Sequence, residues 1–396
     1  MERALYGPEG FFVAGAGPAA HFRTTAHAAP VLAACILRLL SELDAALGHP
    51  PVLSVVDVGA GRGELLRGLL SAVGELQVVG VSGEPARSGR SGLIPARAGS
   101  PETPTTTAAV GTAPSPEPVT AAGLPLADRV RLVAVEKAPR PDDLPPEIDW
   151  LAEIPDRITG LLIATEWLDN VPLDLAAHTA DGWRYLLVDP TTGEESTGEP
   201  LSTGDAHWLT RWWPSGAAGS SAATPDDSAG SDATGPTTSG FGAEIGRTRD
   251  EAWAGAVGRV ERGLAVAVDY GHLRDSRPFD GTLTGYRAGR QVAPVPDGSC
   301  DVTAHVAMDS AASAGERVAR CAYSLVFQRE ALRALGADGG RPPIALAGRD
   351  PAGYVRALAA ASTVAELTDP AGLGGHRWLL QPVGIGALPV MARWRA

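Results

Sequence analysis

The sequence predicts an α/β fold: a mostly parallel sheet with helices on both faces. Three observations lead there. Short, continuous apolar runs alternate with longer segments of helical periodicity, the pattern of strands buried on both sides. A glycine-rich turn joins the first of these runs to a helix, as at the ligand crevice of an open α/β sheet. Apolar residues make up 44% of the 396 residues, enough for one large core or two.

The elements follow in order. Val31 to Gly48 is a helix that stops at its glycine. "VLSVVDV" is a buried strand, and "ELLRGLLSAVG" a helix with another glycine stop. Val130 to Glu136, "VRLVAVE", is a second strand, and "TGLLIATEWLDNVP" is a strand running into a turn. "EAWAGAVGRVERG" is a helix leading into the strand "LAVAVDYG". "FQREALRALG" and "GYVRALAAASTVAEL" are helices, and "HRWLLQPVG" is a final strand. Two stretches, 83–127 and 215–242, are rich in Gly, Ser, Thr, Ala and Pro. They bury too little to offset their ordering entropy and are expected as disordered surface insertions.

The net charge of −13 argues against a general nucleic-acid binder, which would carry a basic face. Three cysteines, Cys35, Cys300 and Cys321, show no metal-like spacing and fit a reducing cytoplasm. There is no apolar run long enough to span a membrane and no signal peptide, so a soluble cytoplasmic protein is expected.

The chemistry starts at "VVDVGAGRGELL". Gly59, Gly61 and Gly63 let the backbone approach a ligand, and the following helix offers free N–H groups. A dinucleotide fingerprint would place its third glycine at position 64, where this chain has glutamate. Asp57, two residues before the first glycine, suits the ammonium of S-adenosylmethionine. The spacing therefore favours that cofactor over a nicotinamide. A ribose-binding acid is needed at the end of the second strand. Glu84, after "LQVVGV", competes with Glu136, and the more strand-like run ending in Glu136 is preferred.

Together, "MERALYGPEGFF", "HFRTT", "VVDVGAGRGELL", "ATEWLDNVPLD", "LAVAVDYGH", "GTLTGYR" and "DVTAHV" resemble the MidA-like S-adenosylmethionine-dependent methyltransferases. That family includes the mitochondrial complex I assembly enzyme that modifies an arginine. The resemblance implies a class I, Rossmann-like sheet of seven strands with an added substrate-covering region. It also implies an N-terminal lid and helix region at 1–50, with the methyltransferase catalytic domain at 51–396. On it, Asp57, Gly59, Gly61 and Gly63 line the methionine end and Glu136 matches the ribose acid. Trp150 and Leu151 fall near the adenine, and Glu166 and Asp169 near the methyl centre. A protein substrate is implied, arginine included. The family's early D-F-x-T-S reads His21-Phe22-Arg23-Thr24-Thr25 here, and the native start is expected upstream of Met1.

A guanidinium acceptor stays charged to pH above about 12 and must be oriented and lose a proton, a task for carboxylates. Glu166 and Asp169 are the first candidates, although "LDNVP" would equally serve as a capping turn. Asp269, with Tyr270 and His272, ends another strand; Asp269 is taken as a further catalytic carboxylate and the other two as substrate contacts, although all three would equally serve as a strand end satisfying its own turn. Asp301 and His305 are four apart, a spacing that a helix would put on one face, for substrate contact or an N-cap. Such a pair is no metal site, and none is expected. "HWLTRWWP" reads as core or interface packing; His21, Arg23 and His27 would cover the cofactor from the N-terminal segment or equally make a surface lid contact without chemistry. Two other functions remain open: a cofactor-binding assembly factor with little turnover, and an NAD-dependent oxidoreductase. Glu136→Ala should weaken S-adenosylmethionine binding by calorimetry far more than Glu84→Ala, and the reverse ranking would identify Glu84 as the ribose acid.

Overall fold

In a computed structural model, the residues described are 1–14, 29–81, 124–190, 193–213, 242–278, 281–337 and 339–393. Seven strands form the main sheet: β1 (Leu53–Val58), β2 (Val130–Val135), β3 (Ile148–Leu151), β4 (Ile158–Thr165), β5 (Val260–Asp269), β6 (Ser324–Phe327) and β7 (Arg377–Val383). Their spatial order is β6-β7-β5-β4-β1-β2-β3. All neighbours run parallel except β7, which is antiparallel to both β5 and β6. This is the expected mostly parallel sheet of seven strands.

Alternate strand residues feed two apolar layers, as the two-residue period of a strand requires. Val55, Leu161, Ile163, Leu264 and Val266 face one layer, where the helices Ala29–Leu47 and Glu64–Val81 supply Ile36, Leu39, Leu43, Leu65 and Leu66. Val56, Leu162, Ala164, Ala265 and Ala267 face the other, against Trp253 and Ala256 of helix Arg247–Gly258 and Met308 and Ala311 of helix Met308–Ala319. The helix Ala29–Leu47 thus shares its core with the sheet.

Further layers lie beside the C-terminal ends of the strands. A four-stranded antiparallel sheet runs in the order 195–200, 182–188, 174–179, 242–245. Trp208, Leu209 and Trp213 pack against its Ala176, Ala243 and Ile245, so the aromatic cluster is core. A three-stranded sheet pairs Thr284–Arg287 with Arg290–Val292 and Asp301–Thr303.

The structure corrects several local expectations. The helix Glu64–Val81 runs on through "LQVVGV", past the stop expected at Gly74, while the preferred run Val130–Val135 pairs with β1. Glu84 lies outside the described residues. The first insertion ends earlier than expected: Leu126–Arg129 is a helical turn whose Leu126 packs on the core, and Arg129 pairs with buried Asp44 at 2.6 Å. Gly242 likewise belongs to a strand, and 83–123 and 215–241 lie outside the described residues. Strand β5 begins at Val260, before the expected helix end at Gly263, because pairing with Ile158–Gly160 claims those residues. Phe327 ends the edge strand β6, which the periodicity missed, and does not start a helix. "DVTAHV" is two short strands, so no helical face joins Asp301 to His305.

Trp253 is fully buried against Gly315, where a Cβ would lie 2.5 Å from its Nε1. Trp253→Ala is expected to lower the unfolding free energy by about 3–5 kcal/mol, read from the urea midpoint.

Candidate active site

The C-terminal ends of β1, β2, β4 and β5 open into a cavity of about 1440 Å³. It lies where the chain order reverses, with β2 on one side of β1 and β4 on the other. The turn after β1 holds Gly59, Gly61 and Gly63 at φ +71°, +59° and +81°, a conformation that favours glycine. A Cβ on Gly59 would sit 3.0 Å from the Trp167 ring, and one on Gly63 2.7 Å from Leu144. Gly59 and Gly61 line the cavity.

Glu136 ties this loop to the end of β2. Its Oε2 accepts from the Gly61 N–H at 3.0 Å, and its Oε1 from the N–H groups of Lys137 and Ala138 at 2.7 and 3.2 Å. Glu136 also lines the cavity, as the ribose assignment requires. Asp57 does not line it: the side chain is buried within β1, where desolvation, then Glu64 and Glu136, push its carboxyl up to about 8. Trp150 packs on the core and donates to the Ala138 carbonyl at 3.1 Å. Leu151 is exposed to solvent, and the three residues after it, Ala152 to Ile154, form the wall where the adenine was expected. A glycine cradle beside an acid at the end of β2 fits an adenosine cofactor bearing an amino-acid arm.

The opposite wall is built by the chain after β4. Glu166 leaves the strand in the left-handed region, φ +51°, with its N–H bonded to the Val268 carbonyl at 2.8 Å. A short 3₁₀ turn, Leu168–Asn170, follows. Two buried charges hold this turn. Asp269 Oδ2 accepts from the N–H groups of Leu168 and Asp169 at 3.0 and 3.2 Å. Arg249, fully buried, donates to the carbonyls of Asp169, Val171, Ala304 and His305. Asp269 therefore stands beneath the turn, not in the cavity.

Glu166, Asp169, Tyr270, Asp301 and His305 all line the cavity. Asp169 accepts from the Tyr270 hydroxyl and from Thr303 Oγ1, the latter at 2.8 Å, while its Oδ1 is buried without a partner. Burial raises the Asp169 carboxyl. Asp301 accepts from Asn170 Nδ2 at 2.9 Å, and burial, then the charge of Asp169, push it up to about 8. The His305 ring meets Tyr270 edge-on at 5.1 Å. His272 turns away from the cavity: Arg277 Nη1 lies 2.6 Å from its Nδ1, and its ring meets Trp213 edge-on.

Arg249, His376, Tyr6 and Phe12 were not named from the sequence. Arg249 sits in a helix that gave no local signal. His376, at the start of "HRWLLQPVG", lines the cavity with its Nδ1 3.9 Å from Glu166 Oε1. Tyr6 and Phe12 stack at 5.6 Å and line the cavity, with the Tyr6 hydroxyl 3.4 Å from the Asn170 carbonyl and Lys137 Nζ over the Tyr6 ring. "HFRTT" and His27 lie outside the described residues. Among the described residues, no group of three His, Cys, Asp or Glu side chains is placed to hold a metal.

Fold and site together define a class I methyltransferase architecture. The family described as "Putative S-adenosyl-L-methionine-dependent methyltransferase" matches residues 121–325. The chain belongs to that family, and it is an S-adenosyl-L-methionine-dependent methyltransferase. Two solved structures from Burkholderia thailandensis are similar in fold. One is a COG1565 superfamily member bound to S-adenosyl-homocysteine: TM-score 0.66, 21% identity, covering 99% of this chain and 89% of that one. The other is the native structure of a COG1565 superfamily protein: TM-score 0.63, 21% identity, covering 99% and 88%. No curated protein gives a significant match.

Asp57 and Asp301 have folded-state pKa values near 8, above the usual carboxylate value near 4. The folded chain then holds protons that the unfolded chain has released, so stability is full below about pH 4 for these two groups and falls as pH rises towards 8. For the cofactor-free protein, Asp301→Asn, which keeps an acceptor for Asn170, should flatten the decline in urea midpoint between pH 5 and 8. An unchanged slope would place the titration elsewhere.

Proposed function

We propose that the methyl acceptor is a protein side chain, with the arginine guanidinium as the first choice. The observation that carries this reading is the acidic wall facing the cofactor side: Glu166, Asp169 and Asp301, with one carboxylate oxygen of Asp169 buried and unpartnered. A buried acceptor without a donor is costly, and a planar multi-donor cation relieves that cost. The cavity also exceeds the roughly 300–1,000 Å³ of a typical small-ligand site, which leaves room for an acceptor beside the cofactor.

S-adenosyl-L-methionine, when bound, supplies an activated methyl group on a sulfonium. Gly59, Gly61 and Glu136 hold that cofactor. Glu166 and Asp169 orient the acceptor nitrogen on the in-line axis, where near-attack geometry accounts for much of the rate. Tyr270 and Thr303 fix the Asp169 carboxylate through its Oδ2 and leave Oδ1 for the substrate. The net charge of −13 and the acidic wall favour a basic protein segment over nucleic acid or an anionic membrane surface. No helix among the described residues is long and apolar enough to cross a membrane, and the cysteines are unpaired, with Cys35 and Cys300 buried; we place the enzyme in the cytoplasm.

Labelled S-adenosylmethionine supplied with the enzyme to a lysate should put methyl groups on protein, released by acid hydrolysis as methylarginine. Label confined to small molecules or nucleic acid would refute the proposal. Asp169→Asn should cut this labelling by about 10²-fold or more while cofactor affinity stays within about threefold.

A further inference from the structure

We propose that His376 is a catalytic residue, with Nε2 accepting the proton that the acceptor nitrogen releases and Glu166 holding the ring through Nδ1. The inference rests on the reading of the acceptor as a protonated nitrogen.

The geometry comes from the C-terminal edge of the sheet. The turn Leu373–Gly375 delivers the chain to β7, and His376 is anchored on both sides of its α-carbon. Its N–H donates to the Leu373 carbonyl at 3.0 Å, and its carbonyl accepts from the Gln328 N–H at 2.8 Å. The side chain is only 11% exposed, lines the cavity, and lies 5.5 Å from the Tyr270 ring. Nδ1 is enclosed without a hydrogen-bond partner, with Glu166 Oε1 at 3.9 Å as the nearest carboxylate oxygen. That leaves Nε2 as the ring nitrogen open to the cavity. A buried imidazole nitrogen with nothing to bond is uncommon unless the pocket changes on binding. At 3.9 Å the contact is longer than a hydrogen bond, and such pairs in ligand-free enzymes shorten when the substrate closes the site.

Charge supports this use of the ring. Burial, then neighbouring His305, push His376 down to about 4, so its ring is neutral at pH 7 and has a lone pair to offer. With Nδ1–H directed at Glu166, that lone pair sits on Nε2. The carboxylate then stabilises the imidazolium that forms.

The step balances. The acceptor guanidinium enters with one more proton than its reactive neutral form. The nitrogen–carbon bond forms as the carbon–sulfur bond breaks, and that bond's electron pair leaves on sulfur. One proton leaves the nitrogen for His376 Nε2 and passes to solvent when the product departs. No oxidant, reductant or second co-reactant is needed.

The test compares the full-length wild-type protein with His376→Asn, His376→Ala and Glu166→Gln. Methylation of an arginine-containing protein acceptor by the wild type is the reference. If the wild type methylates protein only at a group with no proton to lose, the acceptor reading itself fails. Given nitrogen methylation, His376→Asn should lower kcat by about 10²-fold with acceptor KM and S-adenosyl-homocysteine affinity within about threefold. Added imidazole should restore part of the rate to His376→Ala, which a purely structural role would not permit. Independently of turnover, the ¹⁵N resonances of the His376 ring should report a neutral, Nδ1-protonated imidazole at pH 7, and they should shift in Glu166→Gln. A kcat for His376→Asn within threefold of wild type, no imidazole rescue, or an Nε2-protonated ring would each overturn the assignment.

Discussion

Two buried charges of opposite sign fix the turn on which the site depends. Asp269 ends β5 and gathers the N–H groups of Leu168 and Asp169. Arg249, from the helix packed behind β5, gathers the carbonyls of Asp169 and Val171 and, across the gap, those of Ala304 and His305. An isolated buried charge costs several kcal/mol, so neither group would persist alone. Here each lies in the field of the other and both are bonded to backbone dipoles, which offsets part of the burial that pushes the Asp269 carboxyl up and the Arg249 guanidinium down. The result is a peptide turn held from its amide side and its carbonyl side at once. The segments carrying Asp169 and Asp301 come from distant parts of the chain and are joined by this clamp together with the Asn170–Asp301 and Thr303–Asp169 bonds.

The clamp also sets the electrostatics of the cavity. It brings Asp169 and Asp301 together, and burial keeps both carboxyls above their usual range. Like charges that close cannot both ionise cheaply in a poorly solvated wall. An incoming cation shifts that balance, because a sulfonium or guanidinium stabilises the ionised forms. Binding of a positive ligand is thereby linked to proton release from the wall. On the other side the glycine loop supplies backbone N–H groups, and Glu136 takes that of Gly61 together with those of Lys137 and Ala138. One half of the cavity is organised by backbone, the other by buried side-chain charge.

The cofactor half was legible in sequence as a loop and an acid, although Asp57, Trp150 and Leu151 do not line the cavity. A glycine loop, its preceding strand and the acid ending β2 are contiguous patterns, and local geometry follows from local sequence. The fold was legible for the same reason: buried parallel strands write themselves as continuous apolar runs. Where a run was ambiguous, tertiary pairing decided, as when the preferred run Val130–Val135 paired with β1 and "LQVVGV" stayed helical. In the acceptor half, Glu166, Asp169, Tyr270, Asp301 and His305 line the cavity as expected from strand ends and turns, but their supporting partners were not legible. Arg249 and His376 reach the site from separate elements, and nothing near them in sequence marks that convergence; Tyr6 stands in "MERALYGPEGFF", which the resemblance placed in a lid region without naming the residue. "DVTAHV" shows the opposite error. Its spacing fits a helix, but backbone pairing with Thr284–Tyr286 makes it a strand, and Asp301 reaches the cavity from there. His272 sits three residues beyond Asp269, yet Arg277 and Trp213 draw it out of the cavity.

Calorimetric titration of the protein with S-adenosylmethionine, S-adenosyl-homocysteine and NAD tests the central claim most directly. The account predicts binding of the first two near the micromolar range, about −8 kcal/mol, and none of NAD. Binding of NAD without S-adenosylmethionine, or of neither, would mean that the glycine loop and Glu136 do not form the cofactor site described.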